Sequence, residues 1–294
     1  LSADDRPDYE SRLAQVCQEI ERYTEHPDLL KEWPSIRFGL ESAYLDWQRG
    51  ALRILYPSAF TDGVAGIRIN GLIWMGTKEF MKEQIREKLS QGFHCIKLKI
   101  GAIDFDTELS LLKAIRDEFS ADEIELRVDA NGAFSPENVL PKLEALSRLN
   151  LHSIEQPIRA GQWEAMARLC RETPLPIALD EELIGVFDEK DKESLLNEIQ
   201  PQYIILKPAL VGGLSGSEEW ISLAEKKGTG WWVTSALESN VGLNVIAQWC
   251  YNLHSPMPQG LGTGRLFTNN IESPLQVRGE RLWNDTSLMW KIPF

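Results

Sequence analysis

The chain has 294 residues, 43% of them hydrophobic, which is enough for a substantial core and leaves little length for disorder. A formal net charge of −13 argues against nucleic acid as a partner, because phosphate binding needs a basic footprint, and no apolar run approaches the roughly 20 residues of a membrane span. Cys17, Cys95, Cys170 and Cys250 are scattered with no C-x-x-C pair, which excludes a zinc ribbon or redox motif and predicts reduced thiols in a cytoplasmic protein.

The polar opening Leu1-Ser2-Ala3-Asp4-Asp5-Arg6 does not read as a signal peptide. Residues 9–25 carry Leu13, Val16, Ile20 and Tyr23 at helical spacing. Residues 36–56 continue in the same period through Phe38, Leu40, Ala43, Tyr44 and Trp47, until Pro57 breaks it. After Gly66 the rhythm changes to alternation of short apolar runs with amphipathic stretches. Residues 67–74 predict a strand and 78–92 a helix stopped by Gly92. A strand at 96–99 and a helix at 108–119 follow, then a strand ending at Asp129. The next helix is expected over 136–149, with Ser135 as cap and Pro136 as first residue. Strands ending at Glu155, Asp180 and Lys207 alternate with helices at 163–172, 188–199 and 216–227. A strand at 231–235, a helix at 241–251 and a short last strand within 259–264 complete the series.

This regular alternation predicts parallel strands covered by helices. A closed barrel is favoured over an open doubly wound sheet, which usually carries a G-x-G-x-x-G after its first strand; the turns after Trp74 and Ile100 have none. The expected division is a helical cap at 1–66, a barrel at 67–267, and a tail at 268–294 that packs on the cap.

Five of the apolar runs end in a charge. They are Ile96-Lys97-Leu98-Lys99, Leu126-Arg127-Val128-Asp129, Ser153-Ile154-Glu155, Ile177-Ala178-Leu179-Asp180 and Tyr203-Ile204-Ile205-Leu206-Lys207. Functional residues of a (β/α) barrel sit at the C-terminal ends of its strands, where these charges lie. Adjacent parallel strands are about 4.8 Å apart, so Asp129, Glu155 and Asp180 can converge on one hard cation. All-oxygen ligation suits Mg²⁺, with Mn²⁺ as substitute; zinc would recruit His or Cys. One such acid alone reads better as a helix cap or a lysine partner; three in series at one strand depth reverse that balance. Glu181 alternates away from Asp180 and reads as a supporting or loop residue.

Lys97 and Lys99 are two apart on one strand and face the same way. Two lysines inside a barrel imply something anionic there, and the proximity of two cations and a metal should lower the pKa of one, making it usable as a base. Taken alone, K-x-K also fits a solvated edge strand, and Lys207 a salt-bridge partner of an acid. His26, His94, His152 and His254 show no ligand spacing, and His94 and His152 read as surface or turn residues. Gly212-Gly213 reads as a tight loop, and Trp231-Trp232 as core. A metal beside a lysine base points to proton abstraction next to a carboxylate, so the expected partner is a small-molecule carboxylate; a homo-oligomer stays open.

The segments Lys97-Leu98-Lys99, Val128-Asp129-Ala130-Asn131, Ile154-Glu155-Gln156-Pro157, Leu179-Asp180-Glu181 and Leu206-Lys207-Pro208 resemble the muconate-lactonizing branch of the enolase superfamily. Within that branch the chain is most similar to the o-succinylbenzoate synthase family of menaquinone biosynthesis. Thr234-Ser235-Ala236-Leu237-Glu238-Ser239 and Gly260-Leu261-Gly262-Thr263-Gly264 resemble that family's last barrel strands. The resemblance implies a (β/α)7β TIM-type barrel with an N-terminal α+β capping domain, here truncated to its helical part. It implies a Mg²⁺-dependent syn-dehydration of 2-succinyl-6-hydroxy-2,4-cyclohexadiene-1-carboxylate to 2-succinylbenzoate through a metal-stabilised enediolate. Asp129, Glu155 and Asp180 would hold the metal. Lys99 would take the proton and assist departure of the hydroxyl, and Lys207 would stabilise the enediolate from the opposite face. Lys97 would support Lys99 and touch the carboxylate, and Asn131 and Ser235 would contact the substrate or back the site.

Two alternatives remain. An N-acylamino acid racemase or a related epimerase would use the same lysines for a 1,1-proton transfer, although no Asp-x-Asp marks the final strand at Leu261-Gly262-Thr263, as a dipeptide epimerase would require. A barrel that only binds, its lid lost, is the reading of another class; the intact acids and lysines argue against it.

Overall fold

The computed structural model describes residues 2–74, 76–264 and 266–292; Leu1, Met75, Arg265, Pro293 and Phe294 lie outside them. The chain begins with helices α1 (Tyr9–Gln18), α2 (Ile20–Glu25) and α3 (Pro34–Gln48), with a single 3-10 turn at Pro27–Leu30. The helix predicted over 9–25 breaks at Glu19, whose φ of −117° and ψ of 39° leave the helical region. Pro34 starts α3 at a position where a missing N–H costs nothing. That helix stops at Gln48 instead of running to 56, because Ala51 and Arg53 adopt left-handed φ. The three helices close on their own small core of Val16, Tyr23, Leu30, Trp33, Ile36 and Leu40.

The alternating part follows as β1 (Ile67–Arg68), β2 (Gly71–Ile73), α4 (Lys78–Ser90), β3 (Cys95–Lys99), α5 (Phe105–Glu118), β4 (Glu125–Asp129), α6 (Val139–Ser147), β5 (Ser153–Glu155), α7 (Trp163–Glu172), β6 (Ile177–Leu179), α8 (Glu189–Ile199), β7 (Tyr203–Leu206), α9 (Gly213–Lys227), β8 (Gly230–Val233) and α10 (Asn240–Asn252). Strands β2 to β8 form one parallel sheet in sequence order. The sheet curls shut through residues 259–260: Gln259 bridges Ile69 on one side and Gly260 bridges Thr234 on the other, both parallel. The Gln259 side chain adds to the seam by accepting from the Val233 N–H at 2.7 Å. The predicted barrel is therefore present, with its eighth position reduced to a pair of bridges.

Two expectations need correction. The strand expected over 67–74 is two strands. Its first half, β1, leaves the barrel and pairs antiparallel with β10 (Arg281–Asn284), which pairs in turn with β9 (Leu275–Arg278). The tail thus extends the start of the barrel, and it reaches the first 66 residues where Asn284 Nδ2 donates to Thr61 O at 2.6 Å. Helix α6 begins at Val139, since Ser135 and Pro136 form the turn before it, with Ser135 O accepting from the Asn138 and Val139 N–H groups.

Strand alternation decides what faces the barrel axis. On β3 and β4, Ile96, Leu98, Leu126 and Val128 point outward into the buried layer under the helices. That leaves Cys95, Lys97, Lys99, Glu125, Arg127 and Asp129 pointing inward. At the floor, buried Arg127 donates to Glu125 at 2.7 Å and to Pro258 O at 3.0 Å, and lies 4.3 Å over the Trp232 ring. His152, in the bend before β5 as the surface-or-turn reading allowed, is half-buried beside Tyr203, with ring centroids 4.8 Å apart. The opposite, C-terminal mouth carries the lysines and acids.

The cap helices lock onto that frame at defined points. Glu41 of α3 accepts from the Leu214 N–H at 2.6 Å and from Ser215 Oγ, putting a carboxylate on the positive end of α9. Gly212 and Gly213 make the turn into α9 with φ of 101° and 80°, and a Cβ on Gly213 would strike Glu41. They serve as the tight loop expected of them.

Candidate active site

Parallel register brings the charged strand ends together. Lys99 pairs across the ladder with Asp129, and Asp129 with Glu155. Asp180 follows β6 directly, and Lys207 follows β7. Lys97 Nζ donates to Glu155 Oε2 at 2.7 Å and to Asp129 Oδ2 at 3.1 Å. Lys99 Nζ donates to the same Asp129 oxygen at 3.0 Å and to Asn131 Oδ1 at 2.7 Å. Lys207 Nζ donates to Asp180 Oδ2. The three lysines are thus shared among three acids: Lys99 on the first, Lys207 on the third, and Lys97 bridging the first two.

Electrostatics follow from that count. Burial alone would push the Lys97 ammonium down, but Asp129 and Glu155 outweigh it and hold it well above the ordinary lysine range. Burial likewise opposes the Lys207 ammonium, and Asp180 and Glu155 raise it. At both positions the neighbouring acids outweigh burial. Burial would raise Asp129, but Lys97 and Lys99 beside it hold its carboxyl below the usual range. Glu155 goes the other way: burial first, then Asp129 and Asp180, push it well above.

A divalent metal suits this set. Glu155 Oε1 is buried and has no hydrogen-bond partner, and its carboxyl is crowded by two further acids. All three donors are carboxylate oxygens, the chemistry that hard cations take. As the side chains stand, however, they close on lysines, and among the described residues no group of three or more His, Cys, Asp or Glu side chains is arranged to hold a metal.

Above the acids lies a cavity of about 720 Å³. Lys97, Lys99, Asp129, Asn131, Lys207 and Ser235 line it, whereas Glu155 and Asp180 do not. Ser235 is buried, its hydroxyl 2.5 Å from that of Thr263. Sequence reasoning missed several wall residues. Trp74 directly follows β2 and places its ring 5.9 Å from Lys99 Nζ; the strand-end rule that found the lysines applies to it equally. Thr263 and Leu237 also line the cavity. Glu181, already read as a supporting or loop residue, lines it too, and accepts from Asn131 Nδ2 at 2.9 Å. Ser2 and Asp5 reach it from the first residues of the chain, anchored by Asp4, which accepts from Ser35 N–H at 2.9 Å; nothing in their sequence signals this. Glu238 follows the β8 loop with both carboxylate oxygens buried and unpartnered, so burial raises its pKa.

The chain resembles known proteins in both sequence and fold. Residues 80–283 match the family model described as enolase C-terminal domain-like. An o-succinylbenzoate synthase of Desulfotalea psychrophila is 52% identical over 94% of this chain and 74% of its own length. The crystal structure of MenC from the same organism superposes with a TM-score of 0.83 at 50% identity, covering 95% of this chain and 77% of that one. An N-succinylamino acid racemase of Thermus thermophilus is 33% identical over 75% of this chain, which spans only 56% of the racemase. Muconate lactonizing enzyme from Pseudomonas putida has a TM-score of 0.77 at 23% identity, covering 94% of this chain and 79% of that one, a likeness of fold alone. Acids and lysines on successive strand ends, a closed parallel barrel and these matches agree: the chain belongs to the enolase C-terminal domain-like family.

Proposed function

We propose that this chain is a Mg²⁺-dependent o-succinylbenzoate synthase, a carbon–oxygen lyase that dehydrates 2-succinyl-6-hydroxy-2,4-cyclohexadiene-1-carboxylate to 2-succinylbenzoate in menaquinone biosynthesis. The observation that carries it is 52% identity to an o-succinylbenzoate synthase over 94% of the chain, joined to two lysines that reach one cavity from opposite ends of the acid row. In this reading residues 1–66 are the cap and 67–267 the catalytic barrel, and the protein is cytoplasmic. Among the described residues no helix is long and apolar enough to cross a membrane.

Asp129, Glu155 and Asp180 would hold Mg²⁺. The bound ion would neutralise part of the acid charge and stabilise negative charge growing on the substrate carboxylate. Lys99, in its neutral form, takes the proton from the carbon next to that carboxylate. Lys207 stays protonated and faces the resulting enediolate from the other side. Lys99, now an ammonium, returns its proton to the departing hydroxyl on the same face, so water leaves syn and the ring becomes aromatic. Lys97 holds Asp129 and Glu155 in register below. Asn131 and Ser235 stand at the cavity wall to orient the substrate.

The Thermus thermophilus relative supports a second reading, N-succinylamino acid racemisation, which needs the same two lysines but no leaving group. The test is to assay the purified protein with the cyclohexadiene carboxylate beside an N-succinylamino acid. Dehydration is expected to dominate; racemisation without dehydration overturns the first reading.

A further inference from the structure

Asn131 sits two residues past Asp129 with a left-handed φ of 44°, and its own N–H donates to Asp129 Oδ1 at 3.0 Å. That turn sets its side chain between two charges. The amide oxygen accepts from Lys99 Nζ at 2.7 Å, and the amide nitrogen donates to Glu181 Oε1 at 2.9 Å. A side-chain amide has one accepting and one donating end, so only one of its two orientations satisfies both neighbours. Turned over, it would set NH₂ against an ammonium and an oxygen against a carboxylate. The carboxylate of Glu181 and the ammonium of Lys99 thus hold the amide in the same orientation from its two ends.

Resting on the reading of Lys99 as the base, we propose that Glu181 is a positioning residue that fixes the Asn131 amide and, through it, the place of the Lys99 amine over the substrate. Lys99 is held at two points, Asp129 Oδ2 and Asn131 Oδ1, which set its reach along the strand and across the cavity. Glu181 comes from the turn after β6, three strands from Lys99, so the contact links distant parts of the mouth. Its Oε2 atom is buried and has no partner, which leaves the Asn131 bond as its principal anchor.

A double-mutant cycle tests this in the Mg²⁺-loaded enzyme. Glu181→Ala is expected to lower kcat by about 10- to 100-fold, the scale of a small misplacement of a reacting group, with KM changed less than about threefold. The deuterium isotope effect on the abstracted proton should rise, because chemistry becomes slower relative to binding. In an Asn131→Ala background the same substitution should cost less than about twofold. Glu181→Gln, which keeps an acceptor for Asn131, should recover most of the lost kcat. Equal costs in both backgrounds, or a fall in Mg²⁺ affinity measured by calorimetric titration that accounts for the loss, would overturn the relay alone. Full turnover in Lys99→Ala would instead remove the base assignment, and this inference with it.

Discussion

Lys97 and Glu155 meet at 2.7 Å inside the barrel, with both side chains almost wholly out of solvent. Such a pair is costly to bury and costly to break. Replacing Lys97 by Met strands Glu155 and Asp129 together without their shared ammonium. The metal-free variant should lose about 3–5 kcal/mol of stability, measured by urea denaturation at pH 8. The loss should shrink toward pH 5. Glu155 already has a folded pKa raised above its ordinary value, and without Lys97 it rises further, so the folded state gains stability as pH falls and the carboxyl takes up a proton. A loss independent of pH would show that the acids do not feel one another as described.

Mg²⁺ offers the same acids a different partner. Ion at 100 times its dissociation constant should raise unfolding free energy by about 2.7 kcal/mol, visible as a higher Tm. Chelation should abolish turnover and added Mg²⁺ restore it. Asp180→Asn should weaken ion binding in calorimetry without altering the fold seen by circular dichroism. Full activity in excess chelator would contradict the assignment of the three acids.

The two cavity lysines should fail in different ways. Lys99→Ala removes the base, and a loss of at least about 10²–10⁴-fold in kcat is expected. Lys207→Ala removes the cation facing the enediolate, with a cost of about 10²–10³-fold. Single-turnover rates measure both. A variant of either lysine with near-normal turnover removes that residue from the chemistry.

Alkaline stability should fall over a defined window. Burial pushes Cys170 and Cys250 up to about 12 from the ordinary 9.0, and burial pushes Tyr56 up to about 12 from the ordinary 10.0. The folded state keeps these protons and the unfolded chain releases them from about pH 9, so the groups favour folding below that pH and lose the contribution as pH rises toward 12. Thermal melts at pH 8, 10 and 11 should show a progressive drop. Cys17 alone among the four thiols is exposed, so a native-state thiol titration should count one reactive group.

Much of the frame was legible along the chain because a βα unit is local. Each strand and its covering helix declare themselves within some thirty residues, by an apolar run, a polar turn and a helical period. Helix α7 was predicted with the bounds observed, Trp163–Glu172. The charges at Lys99, Asp129, Glu155, Asp180 and Lys207 were visible for the same reason: a strand end is a sequence feature, and parallel register turns it into a common depth.

What the linear pattern could not hold was pairing across long separations. The split of 67–74 depends on a hairpin more than 200 residues later, whose β10 takes Ile67 opposite Leu282. Ser2 and Asp5 at the cavity, Thr263 against Ser235, and Glu181 against Asn131 likewise join distant segments. The sequence by itself determined which side chains would gather at the mouth of the barrel, because alternation and strand order place them. Only the tertiary structure decided how they share charge. Three acids and three lysines admit many pairings, and buried distances of a few ångströms, not residue types, choose Lys97 for Asp129 and Glu155, Lys99 for Asp129 and Asn131, and Lys207 for Asp180.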